Sequence, residues 1–353
     1  MEWLKSILLW SGVAFFVNRY IYNKHLTILT YHGVVESELD VAEWCFIHKA
    51  DFDRQMRFVK KHFEVVKLSE GIKRLYRGEI KRPAIAVTFD DGFRNNYDVA
   101  FPTLKRLGMP ATIFLTTSLI GSDDTVWFCR VNDALANTSK SKVSFQGKEY
   151  SIATRKHKIA VSRIIQNKLK DDPPDILSEK CVTFLNGLDI APDKKIEAEA
   201  PFRMLDRDAI REMAQSGLIE FGCHTHRHCI LTHLSQVECL SEITQSKQVI
   251  ENLIPEECRL FAYPNGGWED IPEHCAQMMA QCNISAAVTT IRGKNSMQTP
   301  ISMLKRCGAG AWQTFADFKL MVLGAKELAK QSLDAIKGKR RSQGEYRQRC
   351  RPV

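Results

Sequence analysis

The chain has 353 residues, 44% hydrophobic and 26% charged, with a formal net charge of +9. That length is enough to bury a large core, as one α/β barrel or two domains, and the composition is that of a globular protein rather than a disordered one. Eleven cysteines, odd in number and with no repeated framework or CxxC pair, exclude a disulfide-stapled scaffold and a structural zinc finger, and suit a reducing compartment.

The first 24 residues form an apolar, amphipathic helix by pattern. The uncharged run Ser6–Val17 is shorter than the roughly 20 residues of a spanning helix, and no small-x-small cleavage site follows it. Trp3, Trp10, Tyr20 and Tyr22 are residue types that favour membrane interfaces. The expectation is a helix lying on the membrane surface or re-entering it. A core-packing helix and a true span are the alternatives.

Thr27 to Tyr31 reads as a core strand ending at His32. A helix opens at Asp51 with Phe52, Met56 and Val59 on one face, and Phe63 to Leu68 reads as a short strand. Ile85 to Phe89 is a buried strand by its β-branched run, and it leads into Asp90-Asp91-Gly92. Phe101 to Leu107 reads as a helix stopped by Gly108, and Met109 to Leu115 as the next strand. Alternating strands and helices indicate a parallel α/β barrel or an open sheet.

About 100 residues, from Gly121 to Leu218, interrupt that rhythm. Lys158–Leu169 and Ile176–Leu185 are helical by period, with Asp171-Asp172-Pro173-Pro174 between them. Asp206–Ser216 is a further helix. The segment 121–205 is expected to be a helical cap beside the active site. A strand then leads into Cys223-His224-Thr225-His226-Arg227-His228. Ser235 to Glu238 is a capping box for a long helix reaching Leu253. Arg259–Tyr263 is a strand running into Pro264-Asn265-Gly266, and Ile284–Thr289 another. From Lys326 to Val353 nine Lys/Arg face three Asp/Glu, so most of the net charge belongs to the tail, 325–353.

Adjacent carboxylates at a strand end can divide two tasks, one binding a cation and one handling a proton, although Asp-Asp-Gly is also ordinary turn punctuation. Alternation along the strand sends Asp90 and Asp91 opposite ways unless the turn at Gly92 re-aims one. His224 and His228 are four apart, a spacing that one helical turn would place on one face. With Asp91 they make a two-His, one-carboxylate set for a catalytic metal with an open position for water. The same set serves non-haem iron oxygenases, the competing class on these residues alone.

Thr88-Phe89-Asp90-Asp91-Gly92, His224-Thr225-His226-Arg227-His228 and Phe261-Ala262-Tyr263-Pro264-Asn265-Gly266 resemble, in order, the three motifs of the polysaccharide deacetylase family (carbohydrate esterase family four). Tyr31-His32-Gly33-Val34 is similar to the opening of its exopolysaccharide and surface-glycan branch. The resemblance runs from about Ile28 to Arg306. It implies a distorted (β/α) barrel over 25–324 and removal of acetyl groups from N-acetylated sugars of a polysaccharide or lipid-linked glycan. It further implies a divalent metal, zinc by preference, on Asp91, His224 and His228, with Asp90 as general base. The backbone N–H of Asn265 becomes the oxyanion donor, and Tyr263, Pro264 and Asn265 touch substrate. Ala262 stands where many members carry the arginine that holds the catalytic Asp, so Arg306 is the expected substitute. The usual late histidine is missing, and His32 is the expected general acid. A catalytically inactive glycan-binding protein is the alternative. The first helix and the basic tail suggest a cytoplasmic protein peripheral to the inner face of the membrane. Aromatic interleaving is too sparse for nucleic acid.

Overall fold

The computed structural model describes residues 5, 8–41, 43–311, 313–325 and 327–328. The strands in chain order are β1 (Leu26–Tyr31), β2 (Gly33–Val35), β3 (Phe46–His48), β4 (Glu64–Val65), β5 (Ala84–Phe89), β6 (Ala111–Leu115), β7 (Lys142–Phe145), β8 (Lys148–Ser151), β9 (Ile219–Cys223), β10 (Leu260–Ala262), β11 (Ala286–Arg292) and β12 (Leu304–Gly308). Seven of them close a parallel barrel in the order β1-β12-β11-β10-β9-β6-β5, with β5 pairing back onto β1 from Leu26↔Ala84 to Tyr31↔Phe89. β4 pairs with β5 outside the ring.

Alternation along each strand divides the core in two. Leu26, Ile28, Ala84, Ala86, Phe114, Ala262, Ala286 and Leu304 share one cluster, the barrel lumen, where alanines leave room for the larger side chains. Leu29, Tyr31, Ile85, Val87, Phe89 and Ile113 face outward onto the helices. The sequence pattern suggested a strand from Phe63 to Leu68, but only Glu64–Val65 pairs, and Leu68 opens a helix to Tyr76. Its Leu68, Ile72 and Leu75, one and two turns apart, join the lumen cluster. The helix expected to open at Asp51 runs Lys49–His62, and His48 Nδ1 accepts from Ala50 N–H at its start.

The insertion after Gly121 is more than a helical cap. The helices Trp127–Asn137, Arg155–Leu169 and Pro174–Gly187 pack with an antiparallel hairpin, β7–β8, around a core of their own that includes Leu135, Phe145, Tyr150, Ile165 and Phe184. Gln146 and Gly147 both adopt positive φ, 50° and 74°, the geometry of a two-residue hairpin turn. That turn, with Val143, Phe145 and Tyr150 buried to either side, makes strands of a stretch that has no helical period.

The first helix is broken at Gly12 and resumes as Val13–Phe16 and a wider turn, Val17–Ile21. Ala14, Val17 and Asn18 are buried, and Phe15 packs on Phe58 and His62 of the helix Lys49–His62. One face therefore packs on the core, while Leu8, Trp10, Val13, Phe16, Tyr20 and Ile21 remain exposed. Among the described residues no helix is long and apolar enough to cross a membrane. The basic tail from residue 329 onward lies outside the described residues.

Candidate active site and metal centre

The carboxyl ends of the barrel strands converge on one polar centre. β5 delivers Asp90 and Asp91, β1 delivers His32, β9 leads into His224, and β12 carries Arg306. Asp91 has φ 72° and Gly92 φ 84°, so the turn does re-aim the second acid. A Cβ on Gly92 would lie 2.7 Å from Leu115 Cδ2, so a side chain there would have to displace Leu115 as well as adopt a positive φ.

Asp91 Oδ1 lies 3.4 Å from His224 Nε2 and 3.2 Å from His228 Nε2. One ligand atom from each of the three residues falls within 4.8 Å of the others. The imidazoles do not come together on a helical turn, as the spacing suggested. Thr225 and His228 take left-handed backbone, both at φ 60°, and the segment is a loop. His224 Nδ1–H donates to Ala262 O at 2.8 Å, which leaves Nε2 as the lone-pair nitrogen. Asp91 Oδ2 is buried without a hydrogen-bond partner among the described residues. Two imidazole nitrogens and a carboxylate with an unused oxygen are a donor set that fits a divalent cation.

Asp90 is held from the opposite side. Arg306 Nη1 and Nη2 donate to its two oxygens at 2.7 Å each, and Arg306 Nε donates to Thr289 O at 2.7 Å. His32 Nε2 stands 4.0 Å from Asp90 Oδ2. Burial alone would raise both carboxyls. For Asp90, Arg306 and His224 outweigh it, and for Asp91, His224 and His228 do, so both acids sit below the usual carboxylate range. Burial lowers His32, with Asp91 and Asp90 opposing it only in part. Burial would lower His224 as well, but hydrogen bonding to Asp91 and the charge of Asp90 raise it. Without a metal, the centre therefore holds two carboxylates, a neutral His32 and a His224 that retains its proton more readily than usual.

Asn265 is exposed on the turn after β10, in left-handed backbone at φ 55°, and no described residue accepts from its N–H. Tyr263 and Pro264 are the residues expected to touch substrate. Both are buried, and the Tyr263 hydroxyl donates to Ser302 O. The turn that carries Asn265 is tied to β11, where Thr290 Oγ1 donates to Asn265 O and Thr290 N–H to Gly266 O. A cleft of about 460 Å³ opens beside His228 and Asn265, walled by Trp127, Leu177 and Val182 of the insertion.

Two participants escaped the sequence reading. Phe128 from the insertion packs its ring against that of His228, centroids 6.0 Å apart. Glu242, on the helix Gln236–Glu251, is buried and accepts from the histidine loop. Neither has a signal in local spacing, because each reaches the site from a separate element.

The sequence profile of the polysaccharide deacetylase family matches residues 77–286. A poly-beta-1,6-N-acetyl-D-glucosamine N-deacetylase from Staphylococcus epidermidis is 25% identical over 209 residues, 58% of this chain and 70% of that protein. Among solved structures, the Streptococcus pyogenes deacetylase PplD in complex with acetate superposes with a TM-score of 0.57 at 18% identity, over 84% of this chain and 98% of the other. The IcaB structure from Ammonifex degensii gives 0.53 at 17% identity, over 86% and 97%. At these identities the structural likenesses speak for the fold.

Proposed function

We propose that this chain, which belongs to the polysaccharide deacetylase family, is a metal-dependent N-deacetylase acting on acetamido sugars of a polysaccharide or lipid-linked glycan. The observation that carries the reading is the convergence of Asp91, His224 and His228 on one point beside an Asp90 held ionised by Arg306. Asp91, His224 and His228 would hold the divalent cation, zinc by preference. When bound it lowers the pKa of water and polarises the amide carbonyl.

The remaining work belongs to the chain's own groups. Asp90 is ionised and takes the proton of the attacking water. The N–H of Asn265 faces the developing oxyanion. With Asp90 ionised and His32 neutral, the resting site holds a base but no acid. The proton for the departing amine is then the one Asp90 took from water, and His32, 4.0 Å away, is the group that hands it on. The cleft against the insertion would receive the rest of the glycan, whose sugar faces suit its mix of Trp127, aliphatic side chains and polar atoms. The five acids and histidines of the centre, Asp90, Asp91, His32, His224 and His228, are all present and converge, so no observation favours an inactive glycan-binding protein.

The test is acetate release from N-acetylglucosamine oligomers and from a lipid-linked fraction, for wild type, Asp91→Ala and His228→Ala, with metal content assayed on each. Release that disappears together with the metal in both variants supports the reading. Full metal occupancy with no acetate from any acetamido sugar overturns it, and iron with oxygen-dependent turnover would favour an oxygenase.

The proposal extends to location. Trp10, 95% exposed, with Phe16, Tyr20 and the exposed Arg19 and Lys24, suits the inner face of an anionic membrane. Co-sedimentation with phosphatidylglycerol vesicles should be lost in the Trp10→Ala, Phe16→Ala, Tyr20→Ala triple variant. Equal recovery of both proteins would leave no ground for it.

A further inference from the structure

The two histidines of the centre are held in different ways. His224 is fixed through its ring, by Nδ1 against Ala262 O at 2.8 Å. His228 Nδ1 is buried and has no hydrogen-bond partner among the described residues. The aim of the His228 ring therefore comes from its backbone and from the Phe128 ring beside it. That backbone sits at φ 60°, as does Thr225, in a region that side chains with a Cβ rarely adopt. Something has to hold it there.

We propose that Glu242 is a positioning residue for the metal ligand His228, a role that rests on reading Asp91, His224 and His228 as the metal centre. Its Oε2 accepts from two consecutive backbone N–H groups, His226 at 2.9 Å and Arg227 at 2.8 Å. Its Oε1 accepts from Arg227 Nε at 2.7 Å. A carboxylate 4% exposed and engaged at both oxygens is a rigid anchor, delivered by a helix whose start is set by the Ser235 and Glu238 capping box. The loop is pinned at its middle by Glu242 and closed at its end by Thr225 Oγ1, which accepts from Cys229 N–H at 3.1 Å. Between those two fixed points, His228 has one path left, toward Asp91. The backbone bonds carry the function. The Arg227 guanidinium, half exposed, contributes little.

The experiment titrates the metal-free full chain with cobalt(II), read by its visible spectrum, and with zinc by competition, for wild type, Glu242→Ala, Glu242→Gln and Arg227→Ala. Outer partners of metal ligands typically change affinity about 10- to 100-fold. That loss is expected in Glu242→Ala, with an altered cobalt spectrum and a melting profile of the metal-free protein that stays cooperative. Glu242→Gln keeps an acceptor oxygen for the two backbone N–H groups and should stay close to wild type. Arg227→Ala should bind like wild type. Should Glu242→Ala fail to fold, Glu242→Asp, whose shorter side chain withdraws the carboxylate from both N–H groups, takes its place. Wild-type affinity and spectrum in Glu242→Ala or Glu242→Asp, or a loss in Arg227→Ala as large as in Glu242→Ala, overturns the proposal. Absence of cobalt binding by wild type would instead overturn the metal centre itself.

Discussion

Arg306 and Asp90, 216 residues apart, meet in a two-point ion pair with both N–O distances 2.7 Å, and neither side chain is more than 2% exposed. Neighbouring strands of the closed ring, β5 to β1 and β1 to β12, bring the two ends of the catalytic region together. With Ala262 at the third-motif position, we propose that Arg306 supplies the hold on Asp90 expected of an arginine there. Its planar fork matches the carboxylate at both oxygens, and Thr289 O holds the third nitrogen.

Removing Arg306 should therefore strand a buried charge. Arg306→Met is expected to cost about 3–5 kcal/mol, whereas Arg306→Lys, which keeps the charge but not the fork, costs less. The pH dependence has a definite sign. Asp90 has a lowered folded pKa, so its contribution to stability is present above its unfolded value and lost as pH falls through the folded one. Without Arg306, burial is left to raise the carboxyl, so the sign reverses and the deficit of the variant against wild type grows as pH rises from 5 to 7. Urea melts at pH 5 and pH 7 would show it. A methionine variant with wild-type midpoints at both values is incompatible with the pair having this role.

His32 gives the second prediction. In the proposed route it accepts the proton held by Asp90 and so must be neutral beforehand. Burial lowers its pKa below the ordinary 6.5. Activity should then fall only as pH drops below that value, and stay flat through pH 8. His32→Gln should lower kcat by about 10²–10⁴ with metal content unchanged. A wild-type rate that declines with rising pH near 6 would mean that an imidazolium must be in place before water attacks.

How the chain's own pattern translated into this site differs from feature to feature. Gly108 at φ 59° after Leu107, and Ser235 with Glu238, are local signals, and each helix boundary follows them. Gly92 likewise foretold that the second acid would turn. Arg306 was reachable only by likeness to a family, because no local pattern says which distant strand becomes a neighbour. The histidine spacing misled, since four residues apart is compatible with a helix but does not impose one. What decides the loop is the Glu242 carboxylate, from 16 residues beyond His226. Tyr263 and Pro264 look like contact residues on a turn, yet the tertiary packing around Ser302 takes them inside.

Gly222 tests how tightly the barrel aims His224. It lies on β9 between β6 and β10, and a Cβ there would be 2.6 Å from the Phe114 ring and 2.9 Å from Leu260 O. A backbone oxygen cannot swing away as a side chain can, so the strands would have to part. Gly222→Ala is expected to cost roughly 1–3 kcal/mol and to weaken cobalt binding, because His224 follows two residues later. Gly308, with nothing within 4 Å of an added Cβ, is the control, and Gly308→Ala should melt near wild type. Equal melting temperatures for the two variants would remove the argument from close approach.

Lys294 carries the last prediction. Its ammonium is buried among Thr27 Oγ1 at 2.9 Å, Val322 O at 2.6 Å and Asn18 Oδ1 at 3.5 Å, tying the first helix to β1 and to the helix Phe315–Val322. Burial lowers its pKa from 10.5 to about 8, against the opposing charges of Cys307 and Glu327. Below pH 8 both folded and unfolded chains are protonated and the burial cost is fully present. From pH 8 toward 10.5 the folded chain releases its proton first, and a cost on the order of 3 kcal/mol is relieved. Stability attributable to Lys294 should therefore rise with pH across that window, the reverse of Tyr22, whose phenol is raised to about 12 by burial. The difference in unfolding free energy between wild type and Lys294→Met, followed by denaturant melts at pH 7.5, 8.5 and 9.5, isolates this contribution from every other titrating group. It should move in favour of wild type as pH rises. A difference that stays constant would mean that the ammonium reaches solvent through the first helix, and that this helix is less firmly seated than the Asn18 and Val17 burial implies.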